Sequence, residues 1–113
     1  GKLVGQWGEK SIGERGYSAV GAVVGATNPQ QLAALRELLP HTLFLVPGYG
    51  AQGASAADVA KAFKPDGTGA IVNSSRAILQ AHQDQKYAGL SWEKAVESAV
   101  KSAREEIAAA LGR

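Results

Sequence analysis

The sequence predicts an α/β fold assembled from βα units with parallel strands, and two observations carry the prediction. Three short, continuously apolar runs recur at Ala19 to Val24, Leu43 to Val46 and Ala70 to Val72. They lie some two dozen residues apart, and each interval holds a helical pattern. Unbroken apolarity, rather than alternation, is what a strand buried on both faces requires. A helical crossover is what brings two parallel strands side by side. The composition agrees: 113 residues, 45% hydrophobic, 19% charged and 14 glycines describe a soluble globular chain of one domain at most.

The elements follow in order. Lys2 to Glu14 is expected to be helical, with Leu3, Val4, Trp7 and Ile12 as an apolar stripe, although Gly5, Gly8 and Gly13 weaken the helix. After the first apolar run, Asn28-Pro29-Gln30-Gln31 supplies an N-cap, a proline at the first helical position and a capping-box glutamine. That helix buries Leu32, Leu35 and Leu39 and stops before Pro40. Ser55 and Asp58 open another helix, which carries Val59 and Phe63 and ends before Lys64-Pro65-Asp66-Gly67. A helical pattern runs from Asn73 to about His82, loops through Tyr87-Ala88-Gly89 and restarts at Ser91. The last helix sets Val96, Val100, Ala103 and Ile107 on one face, with Gly112 as its C-terminal cap.

Several function classes fall away on composition. There is no cysteine, hence no disulfide scaffold, thiolate metal site or cysteine nucleophile; the redox compartment is left open by that, and a cytoplasmic setting is expected. Net charge is +2, from 12 basic and 10 acidic residues interspersed, which does not point to nucleic acid. No apolar run approaches the roughly 20 residues that span a bilayer, so no membrane partner is expected. The sequence has no methionine, so Gly1 is not expected to be a translated start. Three parallel strands leave unpaired edges. Part of a larger sheet is therefore expected, with a small independent three-layer domain as the alternative.

In α/β folds ligands bind beyond the carboxyl ends of the strands. Those positions are Gly25-Ala26-Thr27, Pro47-Gly48-Tyr49-Gly50-Ala51-Gln52-Gly53 and Asn73-Ser74-Ser75-Arg76, all glycine-rich or polar. Glycines in the second segment allow positive φ and turn N–H groups toward an anion, or they only make tight turns. Gln52 adds a neutral donor, and Tyr49 either packs on the base of the loop or touches ligand. In the third segment, free N–H groups at a helix start and the Arg76 guanidinium suit a phosphate. The plainer reading makes Ser74 a helix cap and Arg76 a surface charge. His41 is expected as a surface or capping residue, His82 as solvent-facing, and Trp7 and Trp92 as packing residues. Neither histidine has partners at metal-ligand spacing, and no nucleophile–base or paired-carboxylate motif is present.

Val23-Val24-Gly25-Ala26-Thr27, Leu45 through Gly53 and Ile71-Val72-Asn73-Ser74-Ser75-Arg76 together resemble orotidine 5′-phosphate decarboxylase, most closely its longer bacterial branch. The likeness runs from about Trp7 to the C-terminus. It implies a (β/α)₈ TIM barrel of which residues 1–113 are one partial domain, the C-terminal portion: the last three βα units and the helix before them. It implies decarboxylation of orotidine 5′-monophosphate to uridine 5′-monophosphate by a cytoplasmic homodimer without a cofactor. Gly50, Gln52 and Gly53 would belong to the loop that grips the phosphate, with Gln52 bridging phosphate and pyrimidine. Arg76 would be the phosphate arginine, with the Ser75 and Arg76 N–H groups beside it. Pro47, followed by Gly48, would lie at the floor of the pyrimidine pocket.

One departure is serious. The family's chemistry rests on an Asp-x-Lys-x-x-Asp arrangement from earlier strands and a further lysine. Here the only Asp-x-Lys is Asp84-Gln85-Lys86, beyond the last strand, with Gly89 where the second Asp belongs. The resemblance thus implies that this chain carries substrate-binding residues and no catalytic ones. Alone it is expected to be inactive and to need the missing N-terminal part of the barrel. The alternative is an inactive phosphate-binding or assembly fragment.

Overall fold

Three parallel strands in the order β1-β2-β3 form the sheet of the computed structural model, which describes residues 1–50 and 53–113. The elements are α1 (Lys2–Gly8), β1 (Ala22–Val23), α2 (Pro29–Leu38), β2 (Phe44–Val46), α3 (Ala56–Ala60), β3 (Ala70–Val72), α4 (Arg76–Leu79) and α5 (Trp92–Ala110). Single 3₁₀ turns occur at Glu9–Ser11, Ala81–Gln83 and Gln85–Tyr87. Each strand is followed by a helix, as the spacing of the apolar runs predicts.

The local signals act as expected at α2 and α3. Asn28 caps α2 by accepting from the Gln31 N–H at 3.2 Å, with Pro29 in the first turn. Ser55 and Asp58 form a reciprocal capping box on α3, at 3.2 and 2.9 Å. The Ser55 N–H donating to the Asp58 carboxylate, and after it the Ser55 hydroxyl beside that carboxylate, lower the Asp58 pKa. Gly112, at φ +76°, closes α5.

Five expectations need correction. The strands are covered on one face only. Register pairs Val23 with Leu45 and Leu45 with Ile71, so these three form a row across the sheet. All three are exposed, Val23 at 71% and Ile71 at 61%. Phe44 and Val46 point the other way into the core, against Leu32, Val59 and Ala62. Continuous apolarity therefore registers two apolar environments, of which the helices supply one. A cavity of about 250 Å³ lies open along the bare face, between Gly21, Val23, Leu43, Leu45 and Ile71.

The first helix is also shorter than its apolar stripe suggests. α1 ends at Gly8, and a Cβ there would lie 2.5 Å from the Ser18 hydroxyl oxygen, a contact that only glycine avoids. Val4 packs on the core, while Leu3, Trp7 and Ile12 are exposed. Trp92 is exposed too, so neither tryptophan is a packing residue among the described residues. The helix expected from Asn73 to His82 is a single turn, α4, followed by a 3₁₀ turn. Along α5 the buried stripe is Ala95 and Ala99, with Ala103 and Ile107 half-buried and Val100 exposed. Small residues let α5 approach α3 and the Ala81–Gln83 turn closely.

At the amino ends of the strands, Arg36 on α2 is buried. Its guanidinium donates to the carbonyls of Ala62 (3.2 Å), Gly69 (3.0 Å), Thr42 (2.7 Å) and Leu39, and lies 4.1 Å above the Phe44 ring centroid. Burial lowers its pKa, and Nε has no partner among the described residues. One side chain thus ties α2 to the segments leading into β2 and β3. The Cα radius of gyration is 15.6 Å, against about 13 Å for a compact domain of this length. The chain is drawn out along one axis, 52 Å against 27 and 24 Å, which accounts for the difference.

Candidate functional site

The segments leaving β2 and β3 meet at the carboxyl end of the sheet. Ser74 donates its hydroxyl proton to the Tyr49 carbonyl at 2.9 Å, so it bridges two loops rather than capping a helix. Gly50 lies against α4: a Cβ there would be 3.1 Å from Ala77 Cβ, and its φ is +82°. Both features favour glycine, and both bring the loop beside Arg76. Gly50 and Arg76 line one cavity of about 420 Å³ with Ala77, Gln80, Ala81 and Asp84. Asp84 is the one carboxylate on that lining.

Arg76 is exposed and its guanidinium has no hydrogen-bond partner among the described residues. The backbone N–H groups of Ser75 and Arg76 likewise donate to nothing among those residues. A guanidinium and two free amides at one chain turn are a donor set for an anion's oxygens. α4 is only four residues long, so these individual donors, not a summed helix dipole, make the attraction.

The second loop behaves differently from its expected role. Gly48, Gly50 and Gly53 have φ of +90°, +82° and +87°. Yet the Gly50 N–H donates to the Ala54 carbonyl at 3.1 Å and the Gly53 N–H to the Gly50 carbonyl at 3.2 Å. Tight turns are what these glycines serve here, and neither amide faces outward for an anion. Gln52 lies outside the described residues. Pro47 and Gly48 are half-buried, and neither they nor Gly53 or Ser75 line the 420 Å³ cavity. Gly25-Ala26-Thr27 stands apart from it as well: Ala26 joins the core, and Gly25 and Thr27 are exposed.

Tyr49 packs inward. It is 7% exposed, sits in the main core and donates its phenolic proton to Glu106 on α5. Burial, then the bond to Glu106 and its charge, push the phenol up to about 12. The other Glu106 oxygen accepts from Ser102 at 3.2 Å, and the Ser102 oxygen accepts from Lys86 Nζ at 3.4 Å. A second cavity, of about 310 Å³, opens among Tyr49, Gly50, Ser74, Lys86 and Glu106. Sequence reasoning missed this network. Glu106 continues the helical spacing of Ala95, Ala99 and Ser102 on α5, but it is itself exposed and its partner lies 57 residues away, so spacing alone does not join them.

Of the remaining candidates, His41 is exposed and its Nδ1 lies 2.8 Å from the Gly16 carbonyl. His82 is exposed, as expected. Among the described residues no group of three or more histidine, aspartate or glutamate side chains is placed to hold a metal, and no helix is long and apolar enough to cross a membrane.

No family model matches the chain. Individual relatives do. It is 44% identical over 110 residues to the orotidine 5′-phosphate decarboxylase of Rhodopirellula baltica, covering 94% of this chain and 36% of that protein. It is 47% identical over 104 residues to the protein of that name from Deinococcus radiodurans, covering 92% of this chain and 36% of the relative. The match falls in the C-terminal part of these proteins, so the chain spans about a third of their length. Among solved structures, Leishmania donovani UMP synthase matches at a TM-score of 0.58 and 34% identity, over 80% of this chain and 18% of that one. A Toxoplasma gondii structure described as an orotidine-monophosphate-decarboxylase matches at 0.68 and 21% identity, over 99% of this chain and 41% of that one. The three βα units therefore have the fold of a partial (β/α)₈ barrel, its C-terminal part.

Proposed function

Because the chain is homologous to the C-terminal third of orotidine 5′-phosphate decarboxylases, we propose that it supplies the phosphate- and pyrimidine-binding loops of such an enzyme and works when the strands it lacks are provided. Residues 1–113 form one partial barrel domain in this reading. The reaction is carboxy-lyase chemistry of pyrimidine biosynthesis: the orotate carboxylate of orotidine 5′-monophosphate leaves as CO₂, and a proton takes its place on the same carbon. The Asp/Lys groups for that step come from the missing N-terminal part. The assembled protein acts as a homodimer in the cytoplasm and uses no cofactor.

In this assembly Arg76 and the N–H groups of Ser75 and Arg76 hold the phosphate. Gly50 and Gly53 close over it, Gln52 spans phosphate and base, and Pro47 with Gly48 floors the base pocket. Closure would exchange the internal bonds of the Gly50 and Gly53 amides for bonds to the ligand. Contacts at the phosphate are remote from the reacting carbon, so their value lies in stabilising the closed loop and the transition state together. The supporting observation is the unpartnered Arg76, with the free Ser75 and Arg76 amides, beside Gly50 at the carboxyl ends of parallel strands.

The test is complementation. This chain is co-expressed with the N-terminal two thirds of the Rhodopirellula baltica relative, and decarboxylation is followed by the loss of orotidine 5′-monophosphate absorbance. Activity from the pair, absent from either piece alone, is the expected result. A stable but inactive pair, or decarboxylation by this chain alone, contradicts the proposal. The bare row Val23, Leu45 and Ile71 favours a second reading, an assembly fragment that self-associates through that face. Multiples of the chain mass in native mass spectrometry, persisting in the presence of the complementary piece, would favour it.

A further inference from the structure

We infer that Glu106 is a positioning residue for the β2–α3 loop, acting through the Tyr49 phenol; the inference rests on the reading of that loop as the phosphate grip. Tyr49 stands between two residues of positive φ, Gly48 and Gly50, in a stretch with little side chain of its own to fix it. It is held from both directions. Its phenol donates to Glu106 on the last helix, and its carbonyl accepts from Ser74 in the segment that carries Arg76.

The acceptor is itself fixed. Glu106 takes a second bond from Ser102, one helical turn earlier, and Lys86 Nζ reaches the Ser102 oxygen. A phenylalanine would fill the same core space, so packing alone does not call for the hydroxyl. The phenol instead gives the loop one directional tether, to a charged acceptor on a long helix. Gly50 follows directly on that tether, and its carbonyl accepts from the Gly53 N–H. Supporting groups of this kind set the orientation of the residues that touch the ligand.

The 113-residue chain and its Tyr49→Phe, Glu106→Ala and Glu106→Gln variants are compared by residue-resolved amide hydrogen exchange and by titration with UMP and with uridine. Exchange at Gly50 and Gly53 reads the loop directly, since both amides are hydrogen-bonded within it. Roughly fivefold faster exchange at these two sites, the size of one hydrogen bond, is expected in Tyr49→Phe and Glu106→Ala. UMP affinity falls by a similar factor. Glu106→Gln, whose side-chain carbonyl still accepts the phenolic proton, stays near the parent in both. Phe44 and Val24 amides in the sheet keep their parent rates.

Unchanged exchange at Gly50 and Gly53 in both variants overturns the inference. So does acceleration spread equally over Phe44 and Val24, which marks general destabilisation, or a loop that loosens without loss of UMP affinity. The phosphate reading fails separately, when the parent chain binds UMP no more tightly than uridine; the positioning role then falls with it, leaving any exchange response as a tether without a ligand. A parent that prefers UMP, with variants indistinguishable from it, overturns the positioning role alone.

Discussion

The two ends of the sheet are built on opposite plans. At the amino end, Arg36 turns both terminal guanidinium nitrogens inward onto the carbonyls of four residues and covers the Phe44 ring. At the carboxyl end, Arg76 faces outward with no partner among the described residues, beside amides that are also free. Both are arginines on helices that follow strands. Burial and the supply of carbonyls make one a clamp, while exposure and a supply of donors make the other available to an anion. In the proposed function, stability and binding fall at different ends of the same three strands, as barrel architecture divides them.

Substitutions should separate the two ends. Arg36→Ala leaves the buried Ala62 and Thr42 carbonyls unpaired and is expected to cost about 3 kcal/mol of stability, read as a lower urea midpoint. Arg76→Ala should leave that midpoint within about 0.5 kcal/mol. It should weaken recognition of a phosphorylated ligand by roughly 1.5–3 kcal/mol, the size of a charged hydrogen bond. An Arg76 variant that unfolds, or an Arg36 variant as stable as the parent, would break the contrast.

Tyr49 sharpens it through pH. The folded chain holds the phenolic proton more tightly than an unfolded chain, with a folded pKa of about 12 against 10. Its contribution is therefore complete below pH 10 and is lost as pH rises toward 12. Urea titrations at pH 9 and 11.5 should show the loss, up to about 2 kcal/mol, in the parent and not in Tyr49→Phe. The smallest expected effect is Ser55→Ala, about 1 kcal/mol from one lost N-cap. It should appear in stability, since the Ser55 hydroxyl is engaged with Asp58.

How far the sequence reveals these plans differs by element. The three apolar strands, the caps at Asn28 and Ser55 and the closing Gly112 depend on signals within a few residues, and they are legible. The ends of α1 and the covered stripe of α5 depend on what lies opposite: Ser18 against Gly8, and the Ala81 turn against Ala95 and Ala99. Leu3, Trp7 and Val100 form regular apolar patterns yet face solvent. Periodicity marks an apolar side chain and does not say which face finds a neighbour. At the candidate site, the proximity of Gly50 and Arg76 was expected from their places at adjacent strand ends. The Tyr49–Glu106 bond spans 57 residues and joins a loop to the last helix, so no local pattern announces it. Arg36 was equally hidden, since a basic residue in the last turn of a helix ordinarily suggests solvent.

The central claim is that the carboxyl end of this sheet binds phosphate through Arg76 and its neighbouring amides. Calorimetric titration of the 113-residue chain with UMP and with uridine, repeated on Arg76→Ala, tests it most directly. The account predicts UMP bound at least about tenfold more tightly than uridine, with Arg76→Ala erasing the difference and leaving uridine binding unchanged. Equal affinity for the two ligands in the parent chain, or a UMP preference that survives Arg76→Ala, would contradict it.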